Sequence, residues 1–146
     1  MKAIWILALP LFLRDDWADF AKLSKDKDPG ERCKAVDRID KYKDLKMVQA
    51  LVPLLGDEHP RVRYVSVKAV GRVTDAAAVE FLSTKGLKDP NPRSRAGVAE
   101  ALGWIKDAKV GPALVEALGD ATADVRSAVC RTLAWMRHDA AADKLA

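Results

Sequence analysis

The chain of 146 residues is 49% hydrophobic and 32% charged with a formal net charge of +4, a balance that suits one soluble globular domain and excludes a disordered or fibrous chain. The positive excess is spread along the chain, so no basic block can act as a nucleic-acid tail. Cys33 and Cys130 stand far apart, without a CxxC pair or an adjacent histidine, so free thiols are expected rather than a disulfide framework or a zinc site.

The first element is "MKAIWILALPLFL", residues 1–13: one lysine, then eleven apolar residues from Ala3 to Leu13. Its length suits the hydrophobic stretch of a secretory signal, about 7 to 15 residues, and falls short of the roughly 20 residues of a membrane span. No small-x-small cleavage site follows, because Arg14, Asp15 and Asp16 come next. An export signal and a retained apolar segment that packs on the domain or a partner therefore both stay open, and with them an exported or a cytoplasmic location. Residues 14–25, "RDDWADFAKLSK", set Trp17, Phe20 and Leu23 one repeat length before Val48, Leu51 and Leu54. That predicts a single helix, half of a repeat, with Asp15 and Asp16 suited to its first turn.

From Asp26 onward the chain repeats. Units begin at Asp26, Asp57, Asp89 and Asp120, at spacings of 31, 32 and 31 residues, which divides the domain of residues 14–146 into the half repeat 14–25, repeats 26–56, 57–88 and 89–119, and a truncated repeat 120–146. The third residue after the aspartate is Pro29, Pro60 and Pro92, with Ala123 in the last unit, and the sixth is always arginine: Arg32, Arg63, Arg95 and Arg126. An aspartate can accept backbone N–H bonds at a turn, and proline suits the first turn of a helix, where its missing donor costs nothing. Apolar or small residues such as Val98, Ala99, Leu102 and Ile105 then follow at helical spacing. A second aspartate (Asp44, Asp75, Asp107, with Asp139 one place late) caps a second helix, where Val110, Leu114 and Leu118 mirror Val48, Leu51 and Leu55. Pro53 sits late in the first of these second helices, and a kink or an early end near Leu51 is expected. Two short helices cannot bury their faces alone, so units must stack. The predicted fold is all-α: a short right-handed α-solenoid of stacked antiparallel helix pairs.

The stretches "VRYVSVKAVGRVTD", "SRAGVAEALGWIKD" and "VRSAVCRTLAWMRHD" resemble bacterial HEAT repeats of the type first grouped with phycobilisome lyases, and "ERCKAVDRIDKYKD" resembles them more loosely. The resemblance covers residues 26–146, about four-fifths of the chain. It implies functions from protein-binding scaffolds to chromophore lyases, with DNA-repair relatives of similar shape, so it specifies fold better than activity. It also implies that the repeated arginine bonds across units to the turn aspartates, a structural ladder of Asp57, Asp89 and Asp120 with Arg63, Arg95 and Arg126.

Catalysis finds little support. His59 and His138 read as loop residues, and no nucleophile motif, phosphate loop, HExxH or paired-carboxylate motif is present; no cofactor or metal is called for. Second helices such as "LKMVQALVPLL" and "KVGPALVEAL" carry no basic stripe, which leaves nucleic acid only a convex patch built from Arg61, Arg72, Arg93, Arg131 and Arg137. A non-catalytic scaffold or assembly subunit that binds another protein is the favoured reading, with nucleic-acid binding and a lyase-like enzyme subunit as alternatives. The candidate contact is a row at the fifteenth position of each unit: Lys41, Arg72, Trp104 and Trp135. Aromatic residues and arginine are enriched at interface hot spots, although indoles that only cover the seams between units would show the same spacing. Leu133, Met136 and Leu145 are expected at an open apolar edge, which also allows end-to-end self-association.

Overall fold

In the computed structural model the backbone is described from residue 11 to residue 145, with side chains over residues 15–137. Eight α-helices follow in order: α1 (Leu11–Leu23), α2 (Pro29–Ile39), α3 (Leu45–Leu55), α4 (Pro60–Val70), α5 (Ala76–Thr84), α6 (Pro92–Ile105), α7 (Gly111–Ala117) and α8 (Ala123–Leu145). Short 3₁₀ turns at Gly86–Lys88 and Ala108–Val110 lead into α6 and α7. The apolar segment predicted over residues 1–13 lies outside the described residues, apart from the backbone of 11–13 at the start of α1.

Local chemistry starts each unit. The opening aspartates accept the N–H two residues on, Asp26 from Asp28, Asp57 from His59, Asp89 from Asn91 and Asp120 from Thr122, each at 2.8 Å. The residues so positioned then cap the first helices: Asp28, His59 and Asn91 accept from the N–H of Gly30, Arg61 and Arg93, with Pro29, Pro60 and Pro92 in the first turn. In the first three units Asp44, Asp75 and Asp107 cap the second element, accepting from the N–H of Met47, Ala77 and Lys109. Lys43 and Lys106, at one repeat position, take left-handed φ of 50° and 58° where the chain reverses between helices.

The helices form two layers. In one, α2, α4, α6 and α8 lie side by side; in the other, α3, α5 and α7 do, and α1 packs against α2. Between the layers runs one apolar core that includes Val36, Ile39, Met47, Leu51, Leu55, Val62, Val70, Leu82, Val98, Leu102, Leu114, Val125 and Val129. This is a short α-solenoid, all-helical among the described residues.

Three expectations fail for identifiable reasons. Pro53 does not bring α3 to an early end near Leu51: the helix continues to Leu55, with Pro53 and Gln49, whose carbonyl loses its helical partner, both facing solvent. Asp15 and Asp16 are not in the first turn of their helix, which begins at Leu11. Asp16 is buried instead, accepting a bond from the Tyr42 hydroxyl at 2.9 Å and pairing with Lys41. These two partners, Lys41 first, hold its carboxyl below the ordinary value, while burial and the adjacent carboxylate push the Tyr42 phenol up to about 12. Trp17 stacks on Tyr42 with centroids 5.5 Å apart, so α1 is fixed to the first unit by a ring contact and a polar bond together. Finally, no new helix begins after Asp139: α8 runs unbroken from Ala123 to Leu145. The stretch "HDAAADKL" contains neither glycine nor proline and is rich in alanine, the best helix former, so nothing breaks the helix there.

Candidate functional site

The repeated arginines behave in two ways. Arg32 donates from Nε and Nη2 to the two carboxylate oxygens of Asp57 at 2.8 and 2.9 Å, and from Nη1 to the carbonyls of Asp26 and Lys27. Arg95 repeats the pattern on Asp120 at 2.8 and 3.1 Å, with Nη1 on the carbonyls of Asp89 and Pro90. The side chains of Arg32 and Asp57 are only 7% and 8% exposed. Burial raises the Asp57 carboxyl, but the Arg32 fork and the His59 N–H more than offset it; Asp120 is lowered chiefly by Arg95.

Arg63 and Arg126 keep only the inner half of this pattern. Each bonds two carbonyls of its own turn through Nη1, Asp57 and Glu58 for Arg63, Asp120 and Ala121 for Arg126, and neither makes an ion pair among the described residues. The ladder thus runs Arg32–Asp57 and Arg95–Asp120, with Asp89 left out. The cause lies in the second unit. Leu51 to Asp57 and Leu114 to Asp120 are six residues each, whereas Leu82 to Asp89 is seven, the extra residue being taken up in the 3₁₀ turn before α6.

The aromatic row lies on the first-helix layer. Trp104 near the end of α6 is 56% exposed and Trp135 on α8 is 38% exposed, with ring centroids 5.2 Å apart and planes tilted by 54°. Their inner edges rest on glycines: a Cβ on Gly71 would lie 2.5 Å from the Trp104 Cβ, and one on Gly103 would lie 3.4 Å from the Trp135 ring. Seam packing and exposure coexist in the same side chains. Since a Cβ cannot swing away, Gly71→Ala should cost about 1–3 kcal/mol through overpacking. Thermal unfolding with tryptophan fluorescence checks this, and an unshifted melting temperature would contradict the contact. Lys106 stands 5.7 Å over the Trp135 ring. Of the other predicted contact residues, Arg72 is exposed but pairs with Asp40 of the preceding unit, and Leu133 and Met136 are half-buried against the core. The side chain of Leu145 lies outside the described residues.

Sequence reasoning missed Tyr64. On α4 it is 63% exposed, and with Trp104 it borders a groove of about 740 Å³ between α4 and α6. Leu55, Val67, Ala96 and Gly97 line its apolar part, and Arg63, Lys68, Arg93, Glu100 and Asp124 its polar part. A signal was present, because at the seventh position of the unit the other copies hold the smaller Cys33, Ala96 and Ser127. Glu100 is held by Arg131 at 3.1 Å, whereas Lys68 and Arg93 make no ion pair among the described residues.

Among the described residues no group of three or more His, Cys, Asp or Glu could hold a metal, and no helix is long and apolar enough to cross a membrane. Burial raises the Cys33 thiol and leaves it a core residue, while Cys130 is exposed. The family model of HEAT repeats matches residues 19–84 and again residues 83–146. No curated protein matches the chain.

Proposed function

The chain belongs to the HEAT-repeat family, and on that premise we propose that it is a non-catalytic scaffold that holds another protein against its first-helix layer, with Trp104 and Trp135 at the centre of the contact. HEAT repeats are typical of protein-interaction scaffolds. One observation carries the reading: two indoles lie side by side on adjacent repeats with their outer faces in water, although a soluble surface rarely clusters such side chains without use. Tyr64 extends the same face across α4. The half repeat and the fourth unit serve in this reading as the flanks of the platform.

The charges favour protein over nucleic acid. Arg72 and Arg131 are occupied by Asp40 and Glu100, and Glu100 and Asp124 share the groove with the remaining cations. A phosphate backbone would meet mixed charge rather than a basic stripe.

The test is capture from extracts of the source cells on the immobilised full chain. Changing both Trp104 and Trp135 to alanine should reduce the captured protein at least tenfold while the helical circular dichroism stays unchanged. Retention of the partner by the folded double variant would rule this face out.

A further inference from the structure

The repeats supply their own comparison for Arg63. In Arg32 and Arg95 the Nε and Nη2 edge of the guanidinium clamps a carboxylate with two bonds of 2.8–3.1 Å. In Arg63 the same residue, held by the same Nη1 bonds to its own turn, bonds no acid on that edge among the described residues, and it lines the groove beside Tyr64. We propose that this groove binds an acidic segment of the partner protein, one Asp or Glu carboxylate of which takes the fork of Arg63 while a neighbouring apolar or aromatic side chain lies between Tyr64 and Trp104.

The inference rests on reading the first-helix layer as a protein contact, and it names the chemistry of the ligand. Arg63 is oriented before any ligand arrives, since the carbonyls of Asp57 and Glu58 hold Nη1 at 2.8 and 3.0 Å. Little side-chain freedom remains to be lost on binding, and the planar fork matches a carboxylate bidentately. Among the described residues Lys68, Arg93 and Asp124 line the same groove without ion-pair partners, while Glu100 is paired with Arg131. Arg63, Lys68 and Arg93 together outweigh Asp124, so the charge around the fork is net positive, which suits a segment with one or two acids next to an apolar anchor. Arg126 bonds no acid on its fork among the described residues either, but it is exposed at the last turn and does not line this groove.

Random twelve-residue peptides displayed on phage and selected on the immobilised full chain provide the probe. The enriched sequences should carry Asp or Glu within about two residues of an aromatic or aliphatic side chain. For a labelled synthetic peptide of that kind, Arg63→Lys, which keeps the charge and loses the fork, should raise Kd about tenfold. Amidation of the peptide's carboxylate should do the same, and the two changes together should cost little more than either alone. Arg126→Lys should leave Kd unchanged. The amidated peptide on the unaltered chain gives the carboxylate dependence even where a variant folds poorly. Enrichment of peptides without acids, or of none, or a Kd indifferent to Arg63→Lys, overturns the clamp. If Trp104→Ala still abolishes binding in that case, the face stands and only its ligand chemistry falls; if Trp104→Ala is also inert, the proposed face falls with it. Groove binding of a labelled dT20 that depends on Arg63 would replace the acidic peptide with nucleic acid.

Discussion

Replacing Asp57 by alanine should lower the free energy of unfolding by about 3–5 kcal/mol, because it removes the buried partner of the Arg32 guanidinium and leaves only the exposed Glu58, 3.4 Å away. The same change at Asp89 should cost about 1 kcal/mol. Asp89 stands at the equivalent repeat position, yet it pairs with no arginine and loses only its bond from the Asn91 N–H. Urea unfolding of the two variants side by side checks the contrast. Equal losses would mean that the ladder does not discriminate between the seams. The pair also has a pH dependence. Because the folded carboxyls of Asp57 and Asp120 lie below their ordinary value of 3.8, the stability they contribute is present above that value. It drains away as the pH falls further, through the lower folded-state values. Acid unfolding should therefore be shallower in the Asp57 variant than in the parent chain.

Leu102→Ala should be of similar size, about 2–5 kcal/mol, from lost transfer energy and the cavity left behind. Leu102 is fully buried on α6, the helix that touches α3, α4, α5 and α8. With neighbours on every side, the site has little room to collapse onto the gap. Val115→Ala on α7, where the side chain is 58% exposed, should by comparison stay within about 0.5 kcal/mol. A lower urea midpoint at an unchanged slope for Leu102→Ala would match the expectation, whereas a loss no larger than that of Val115→Ala would contradict it.

Features encoded within a few residues were readable from the chain alone. The aspartate turns, the prolines at Pro29, Pro60 and Pro92, and the capping by Asp44, Asp75 and Asp107 are all short-range, and they repeat four or three times, which exposes them to comparison. What escaped depended on distance. The one extra residue in the second unit was visible as a spacing of 32, yet its effect is to carry Asp89 away from Arg63, and that needs three dimensions. Pro53 misled because its cost depends on which way the helix faces. Asp139 misled because an aspartate can cap a helix but does not break one. The tryptophan pair was legible as a row, while Arg72, in the same row, turned out to be engaged with Asp40. Tyr64 stood out in its column but was not legible as a site, because a single large residue in one unit forms no row and its exposure depends on how α4 packs.

The gap in the ladder also separates the seams by what holds them. Units one and two are tied by Arg32–Asp57, by Arg72–Asp40 and by the Leu45 N–H on Asp75. Units three and four are tied by Arg95–Asp120 and Arg131–Glu100. Across the middle seam the ion pair among the described residues is Lys88–Glu116, 3.7 Å long and largely exposed, where such a contact adds little stability. The middle seam is therefore the one that relies on the packing of α6 against α3, α4 and α5 rather than on a buried ion pair.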